Sequence, residues 1–310
     1  MGFDKGQKAR FLMRNFDSFI AIDWSGAETV YTKSIAVAAC RHDALCPSVI
    51  SGPHKSGYWS RADVGKYIKQ LAEGSKRVLV GIDCNFGYAR AVSEAHFGTG
   101  HTAYEQWAHV DAANRDLPNY FARNFWRDPR YAPYFWTELH RPAVFAPPRR
   151  LTEQTCGDSG YGWPESPFKL VYSKQVGKGG LAGMRLAHDL QKSCGHRVAF
   201  WPFDDKEKQN KATVVVSEIY PRLFIRLAGM GNAKITKTAE LDKVLAKLGA
   251  GPSDAPNADI SDHAADAIIA AAGLRFLCGR GKEVPPRYAY PSDDARLRTE
   301  GWIFGVGAMQ

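Results

Sequence analysis

Four acidic residues stand where buried elements end or pack closely. Asp23 closes the run Phe19-Ile20-Ala21-Ile22 just ahead of the small polar pair Ser25-Gly26, and Asp83 closes Val78-Leu79-Val80-Gly81-Ile82. Apolar runs of this length, stopped by turn residues, read as buried strands. Glu218 ends a β-branched run, Thr213 to Ser217, and precedes Tyr220-Pro221. Asp266 falls inside Asp259 to Leu274, an alanine-rich stretch of high helix propensity that Ser261 or Asp259 can cap. On that helix Asp262, His263 and Asp266 share one face, through spacings of three and four. Carboxylates brought together repel unless a cation lies among them, so convergence of Asp23, Asp83, Glu218 and Asp266 predicts bound metal. All-oxygen ligation points to Mg²⁺ or Mn²⁺, and His263 admits Mn²⁺ more readily than Ca²⁺. Two such ions about 3.5–4 Å apart activate water and stabilise the leaving oxygen of a phosphodiester. In that chemistry Asp23 bridges the ions, Asp83 and Asp266 each hold one, Asp262 and His263 are further metal ligands, and Glu218 with His263 ligates or positions water. The competing account is four independent structural acids, with Glu218 satisfied by a partner such as Arg222.

The elements that must position these residues are legible in outline. Two strands that each deliver an Asp at the same end suggest a parallel pair at the carboxyl edge of an open α/β sheet, where such sheets place their sites. Val30 to Cys40 reads as a hairpin partner of the first strand, and Val49 to Ser51 as a further short one. Arg61 to Glu73 carries Val64, Tyr67, Ile68 and Leu71 on a helix face and stops at Gly74. Gly177-Lys178-Gly179-Gly180 reads first as a mobile loop and second as a phosphate contact through Lys178, ahead of a helix over Leu181 to Lys192. His196 to Phe203 is predicted to be a central strand, and Lys234 to Leu248 an amphipathic helix.

Residues 91–180 differ in texture. Prolines exclude long regular elements beyond a helix near Ala103 to Asn114, yet the density of Trp, Tyr and Phe is far too high for a disordered linker. The segment reads as an insertion folded over the sheet. Its interleaved arginines, Arg149 and Arg150 among them, suit phosphates and stacked bases, at roughly 1–3 kcal/mol per stacked base. The alternative is an aromatic mini-core with solvated arginines.

The chain has 41 Lys and Arg against 32 Asp and Glu, a formal charge of +9 that favours a polyanionic partner such as nucleic acid. Its six cysteines show no Cys-x-x-Cys and no zinc-ligand spacing, the usage of a reducing cytoplasm. Residues 1–16 hold too little apolar length for a signal peptide or membrane span and read as a basic arm. The expected organisation is therefore that arm, a core formed by residues 17–90 and 181–278, the 91–180 insertion as a cap, and an extension over 279–310.

The order of Asp23, the Ile-Asp at Asp83, Glu218-Ile-Tyr-Pro221 and Asp262-His263-Ala264-Ala265-Asp266-Ala267 resembles the ribonuclease-H-like superfamily. The late helix is similar to that of RuvC-type Holliday-junction resolvases, and the whole set resembles the predicted-nuclease family called domain of unknown function 429. The resemblance covers roughly residues 17–90 and 181–278. It implies a mixed five-stranded sheet with strands one, four and five parallel, helices on both faces, and a metal-dependent nuclease, as a homodimer if it cuts junctions. Resolvases carry Glu where this chain has Asp83. The superfamily also holds actin-like phosphotransferases, of whose glycine-rich hairpin Trp24-Ser25-Gly26 would be a remnant that touches substrate. Two other readings stay open: a hydrolase or phosphotransferase of a small phosphorylated metabolite, and a nucleic-acid or nucleotide binding protein without turnover.

Overall fold

In a computed structural model the described residues are 16–43, 45–97, 102–142, 149–172, 175–231, 234–253, 258–279 and 295–307. Nearly all of the basic arm lies outside them. Six strands, β1 (Ser18–Asp23), β2 (Ala36–Arg41), β3 (Ser48–Ile50), β4 (Val78–Ile82), β5 (Val198–Trp201) and β6 (Val214–Glu218), form one mixed sheet in the order β3-β2-β1-β4-β6-β5. β2 runs antiparallel to β1 and β3, whereas β1, β4, β6 and β5 run parallel.

The sheet thus has six strands where five are expected. The run expected at its centre, Val198 to Trp201, is instead the edge strand beside β6. Both strands are apolar because each face of the sheet is covered, which erases the alternation that would separate an edge from a centre. Along β1, Phe19 and Ala21 enter one core while Ile20 and Ile22 enter the other; β4 and β6 divide in the same way, with Leu79 and Val215 on the first face and Val80 and Val216 on the second.

The helices used below are α1 (Arg61–Glu73), α2 (Ala103–Ala112), α3 (Leu151–Asp158), α4 (Val176–Cys194), α5 (Lys206–Lys211), α6 (Pro221–Leu227), α7 (Thr238–Lys247), α8 (Asp262–Gly279) and α9 (Ala295–Glu300). On the first face α8 lies directly on β1 and β2. Its buried Ala265, Ala267, Ala270, Ala271 and Ala272 permit that close approach. Gly273 permits the next one: a Cβ there would stand 2.2 Å from the Phe224 ring of α6.

On the second face α1 and α4 cover the sheet, and the aromatic segment joins them. Trp107, Phe125, Tyr131, Phe135 and Phe168 belong to the same core as Val80 and Ile82. These rings are therefore core, continuous with the sheet. The glycine run Gly177 to Gly180 is also not a loop: it lies within α4, whose buried Gly177, Gly179 and Gly180 let the helix meet neighbouring backbone. Residues 301–307 pack too, with Trp302, Ile303, Phe304 and Val306 buried and the Phe304 amide donating to the Glu218 carbonyl at 2.9 Å. No helix among the described residues is long and apolar enough to cross a membrane.

Candidate functional site

Parallel pairing brings the acids of β1 and β4 to one edge. Ile22 lies opposite Ile82, and the Asp83 amide donates to the Ile22 carbonyl at 2.9 Å, so Asp23 and Asp83 leave adjacent strands side by side. α8 crosses this edge with its first turn. His263 Nδ1 stands 2.6 Å from Asp23 Oδ2, and Asp266 follows one turn further on.

Burial raises the pKa of Asp23, against the hydrogen bond and charge of His263. The hydrogen bond to Asp23 raises that of His263, against burial. Both shifts describe one proton held between the two groups to a higher pH than either would keep it alone. Burial, then the charges of Asp23, Asp266 and Glu218, lifts Asp83 well above the usual carboxylate range. Burial and then Asp23 push Asp266 up to about 7, with Arg222 opposing. No hydrogen-bond donor among the described residues meets the carboxylate of Asp83 or Asp266.

The other two acids are committed elsewhere. Asp262 accepts from Lys234 Nζ at 2.6 Å, which holds its pKa down and leaves it at the solvent side of the cluster. Glu218 closes β6 one strand over, but both of its oxygens are taken by Arg150, at 2.7 Å from Nη1 and 2.6 Å from Nη2. Arg150 is 1% exposed; its Nε donates to Glu153 at 2.9 Å and Nη1 also to the Glu300 carbonyl at 2.9 Å. Glu300 in turn accepts from the amides of Arg90 and Leu151. Arg150 is thus the centre of a buried network that ties Glu218 and β6 to α3 and α9, and the partner of Glu218 is Arg150, not Arg222. Arg150, expected at a substrate, has no face open to one.

The remaining expected contacts divide. Trp24 is buried and donates from Nε1 to the Gly179 carbonyl at 3.0 Å; Ser25 Oγ lies 2.8 Å from Ser34 Oγ and accepts from the Ala27 amide. Both shape the turn after β1 and hold it against the first turn of α4. Arg149 is exposed, donating to the Pro164 carbonyl at 2.6 Å and lying over the Trp163 ring. Lys178 reaches a cleft beside that turn, with Nζ 3.4 Å from Glu28.

The structure therefore sets Asp23, Asp83 and Asp266 within electrostatic reach of one another, with His263 on Asp23 and Asp262 at the solvent rim beside His263, and leaves Glu218, Arg149 and Arg150 engaged elsewhere. Among the described residues no three His, Cys, Asp or Glu side chains stand as a ready ligand set around one point. The donor chemistry nevertheless fits a hard divalent cation: three carboxylates whose pKa values are raised by burial and by one another, two of them without a hydrogen-bond donor.

Arg61, the first residue of α1, was not singled out by motif. It is 2% exposed, donates to the carbonyls of Ser25 and Ala27, and among the described residues its Nη1 has no hydrogen-bond partner. A cation in the first turn of a helix opposes the helix dipole, and that misfit was its signal.

No family model matches the chain, and neither the curated proteins nor the solved structures contain a match.

Proposed function

We propose that the chain is a Mg²⁺- or Mn²⁺-dependent phosphodiesterase acting on nucleic acid, with Asp23, Asp83 and Asp266 as the cation's ligands. The observation that carries this reading is that three carboxylates from three distant segments feel one another's charge at the carboxyl edge of parallel strands, each with its pKa raised. Retaining such repulsion makes physical sense where a cation is to be bound. The ion would polarise the phosphoryl group and lower the pKa of the attacking water. The chain's own part is positional: Asp23 and Asp83 are fixed by the β1–β4 register, and α8 sets Asp266 over them. His263 orients Asp23 through Nδ1 and holds a proton beside it.

The ribonuclease-H-like resemblance is supported by the order β3-β2-β1-β4 with β2 antiparallel, and by the acids at the ends of β1 and β4. The net charge of +9 supports a polyanionic substrate, and six free cysteines suit a reducing cytoplasm. A second reading, a cation- and nucleic-acid-binding protein without turnover, is favoured by the engagement of Glu218 with Arg150, which leaves three carboxylates and suits one ion better than two.

Cleavage of single-stranded and duplex DNA, RNA, an RNA–DNA hybrid and a four-way junction, with each metal and beside Asp23→Asn, decides between them. Metal-dependent cutting lost in the variant is the expected result. Mn²⁺ binding lost in the variant, with no substrate cut by the wild type, would establish the second reading. Full cutting by Asp23→Asn would remove the carboxylate site from the reaction.

A further inference from the structure

A second cluster, of opposite sign, lies on the far side of the turn that follows Asp23. Gly26, Glu28, Arg61, Phe121, Ala122, Arg123, Trp126, Lys178 and Ala182 line a shallow cleft there. Its charged groups are Arg61, Arg123 and Lys178 against the single carboxylate of Glu28. Arg61 is the unusual member. Its guanidinium sits 5.1 Å from the Phe121 ring and 5.9 Å from that of Trp24, with Nε and Nη2 on backbone carbonyls and no carboxylate in hydrogen-bond contact. Nη1 is buried without a partner among the described residues. Burial lowers its pKa to about 10, with Glu28 the opposing charge. A buried cation with an unused donor is costly unless a counter-charge reaches it.

The first turn of α4 faces the same cleft through Lys178. A Cβ on Gly26 would stand 3.0 Å from the Gly179 amide nitrogen and 2.7 Å from the Gln175 carbonyl, so only glycine lets the turn after β1 lie against this helix start. The Gly177, Lys178 and Gly179 amides of this helix start donate to the Lys169 and Gln175 carbonyls, so what α4 offers the cleft is the Lys178 side chain.

We propose that this cleft is a phosphate subsite, with Arg61, Lys178 and Arg123 as its cationic groups. Glu28 occupies Lys178 in its absence, through the 3.4 Å contact, and exchanges it for the incoming anion. Binding of phosphate here does not depend on the carboxylate cluster. The placing of that phosphate next to the scissile one does rest on the phosphodiesterase reading, since Trp24 and Ser25 alone separate Asp23 from the turn.

The test is calorimetric titration of the full chain, with EDTA present, by inorganic phosphate and separately by a 5′-phosphorylated dinucleotide. Wild type, Lys178→Ala, Arg123→Ala, Arg61→Lys and Asp23→Asn are compared. Removal of one charge-assisted donor weakens phosphate binding by about tenfold or more. Asp23→Asn keeps wild-type phosphate affinity here while losing Mn²⁺ binding in a separate titration without EDTA, so the two sites fail separately. Tighter binding of the dinucleotide assigns the subsite to a nucleic-acid backbone; equal affinity assigns it to a free phosphate group. Arg61→Lys keeps the charge and loses the fork, so it weakens binding while its melting curve reports folding; Lys178→Ala and Arg123→Ala serve if it does not fold. Absence of phosphate binding by the wild type, or equal affinity in Lys178→Ala and Arg123→Ala, would overturn the proposal.

Discussion

The acids at this sheet edge have different jobs, and substitution separates them. Asp23 is the partner of His263 Nδ1 and, in the proposed site, would also supply a ligand oxygen. Asp23→Asn is expected to weaken Mn²⁺ binding by at least about a hundredfold and to return the His263 pKa toward its ordinary value; calorimetry and imidazole NMR titration read the two effects. Glu218 answers a different assay. Glu218→Gln leaves the Arg150 guanidinium buried with one ion pair fewer, so unfolding free energy should fall by about 3 kcal/mol in denaturant melts, while Mn²⁺ affinity stays within a few fold. A metal-ligand role would give the reverse. Asp23, Asp83 and Asp266 were legible in the sequence because an acid after a buried run, or past the first turn of an alanine-rich helix, has few structural excuses. Glu218 sat in the same kind of place and went to Arg150, 68 residues away in sequence. A long-range ion pair leaves no local spacing to read, so neither partner announced the other.

Helices and strands were legible to the extent that their neighbours were local. α1, with its Ser60 and Asp63 capping box, and α8, with its alanines, follow from patterns carried within one segment. The place of β5 at the sheet edge, and the continuation of α4 through Gly177 to Gly180, depend on what packs against them. Lone glycines weaken helix propensity, and here tertiary contact overrides it. The α1–α4 junction offers its own test. Asp189 on α4 accepts from Lys69 Nζ at 2.9 Å, from Tyr120 and from Ser193 Oγ. Burial works against its charge, but those hydrogen bonds outweigh it and lower its pKa. A carboxyl whose folded pKa lies below its unfolded value stabilises the fold above roughly pH 4 and loses that contribution as pH falls through the folded value. Asp189→Asn should therefore lower the melting temperature at pH 7 and leave it nearly unchanged at pH 2–3, flattening the acid limb of the stability profile.

At the scale of the molecule, a cation site built as proposed would trade fold stability for cation affinity. Without a cation, Asp83 faces Asp23, Asp266 and Glu218 from a half-buried position, and their mutual repulsion weakens the native state relative to an unfolded chain in which they lie far apart. Asp83→Asn removes one of these charges and should raise the melting temperature of the metal-free protein. In the wild type a bound Mn²⁺ would supply the missing counter-charge. At a free concentration about a hundredfold above its dissociation constant it would contribute about 2.7 kcal/mol, or a rise of roughly 5 °C for a chain of this size. Asp83→Asn should start higher and respond less, so the two melting curves converge as Mn²⁺ is added. Scanning calorimetry with and without metal reads both effects in one series. A metal-free variant no more stable than wild type, with the full Mn²⁺ response intact, would mean that Asp83 neither suffers the repulsion nor holds the ion, and would reduce the cluster to the contact of Asp23 with α8.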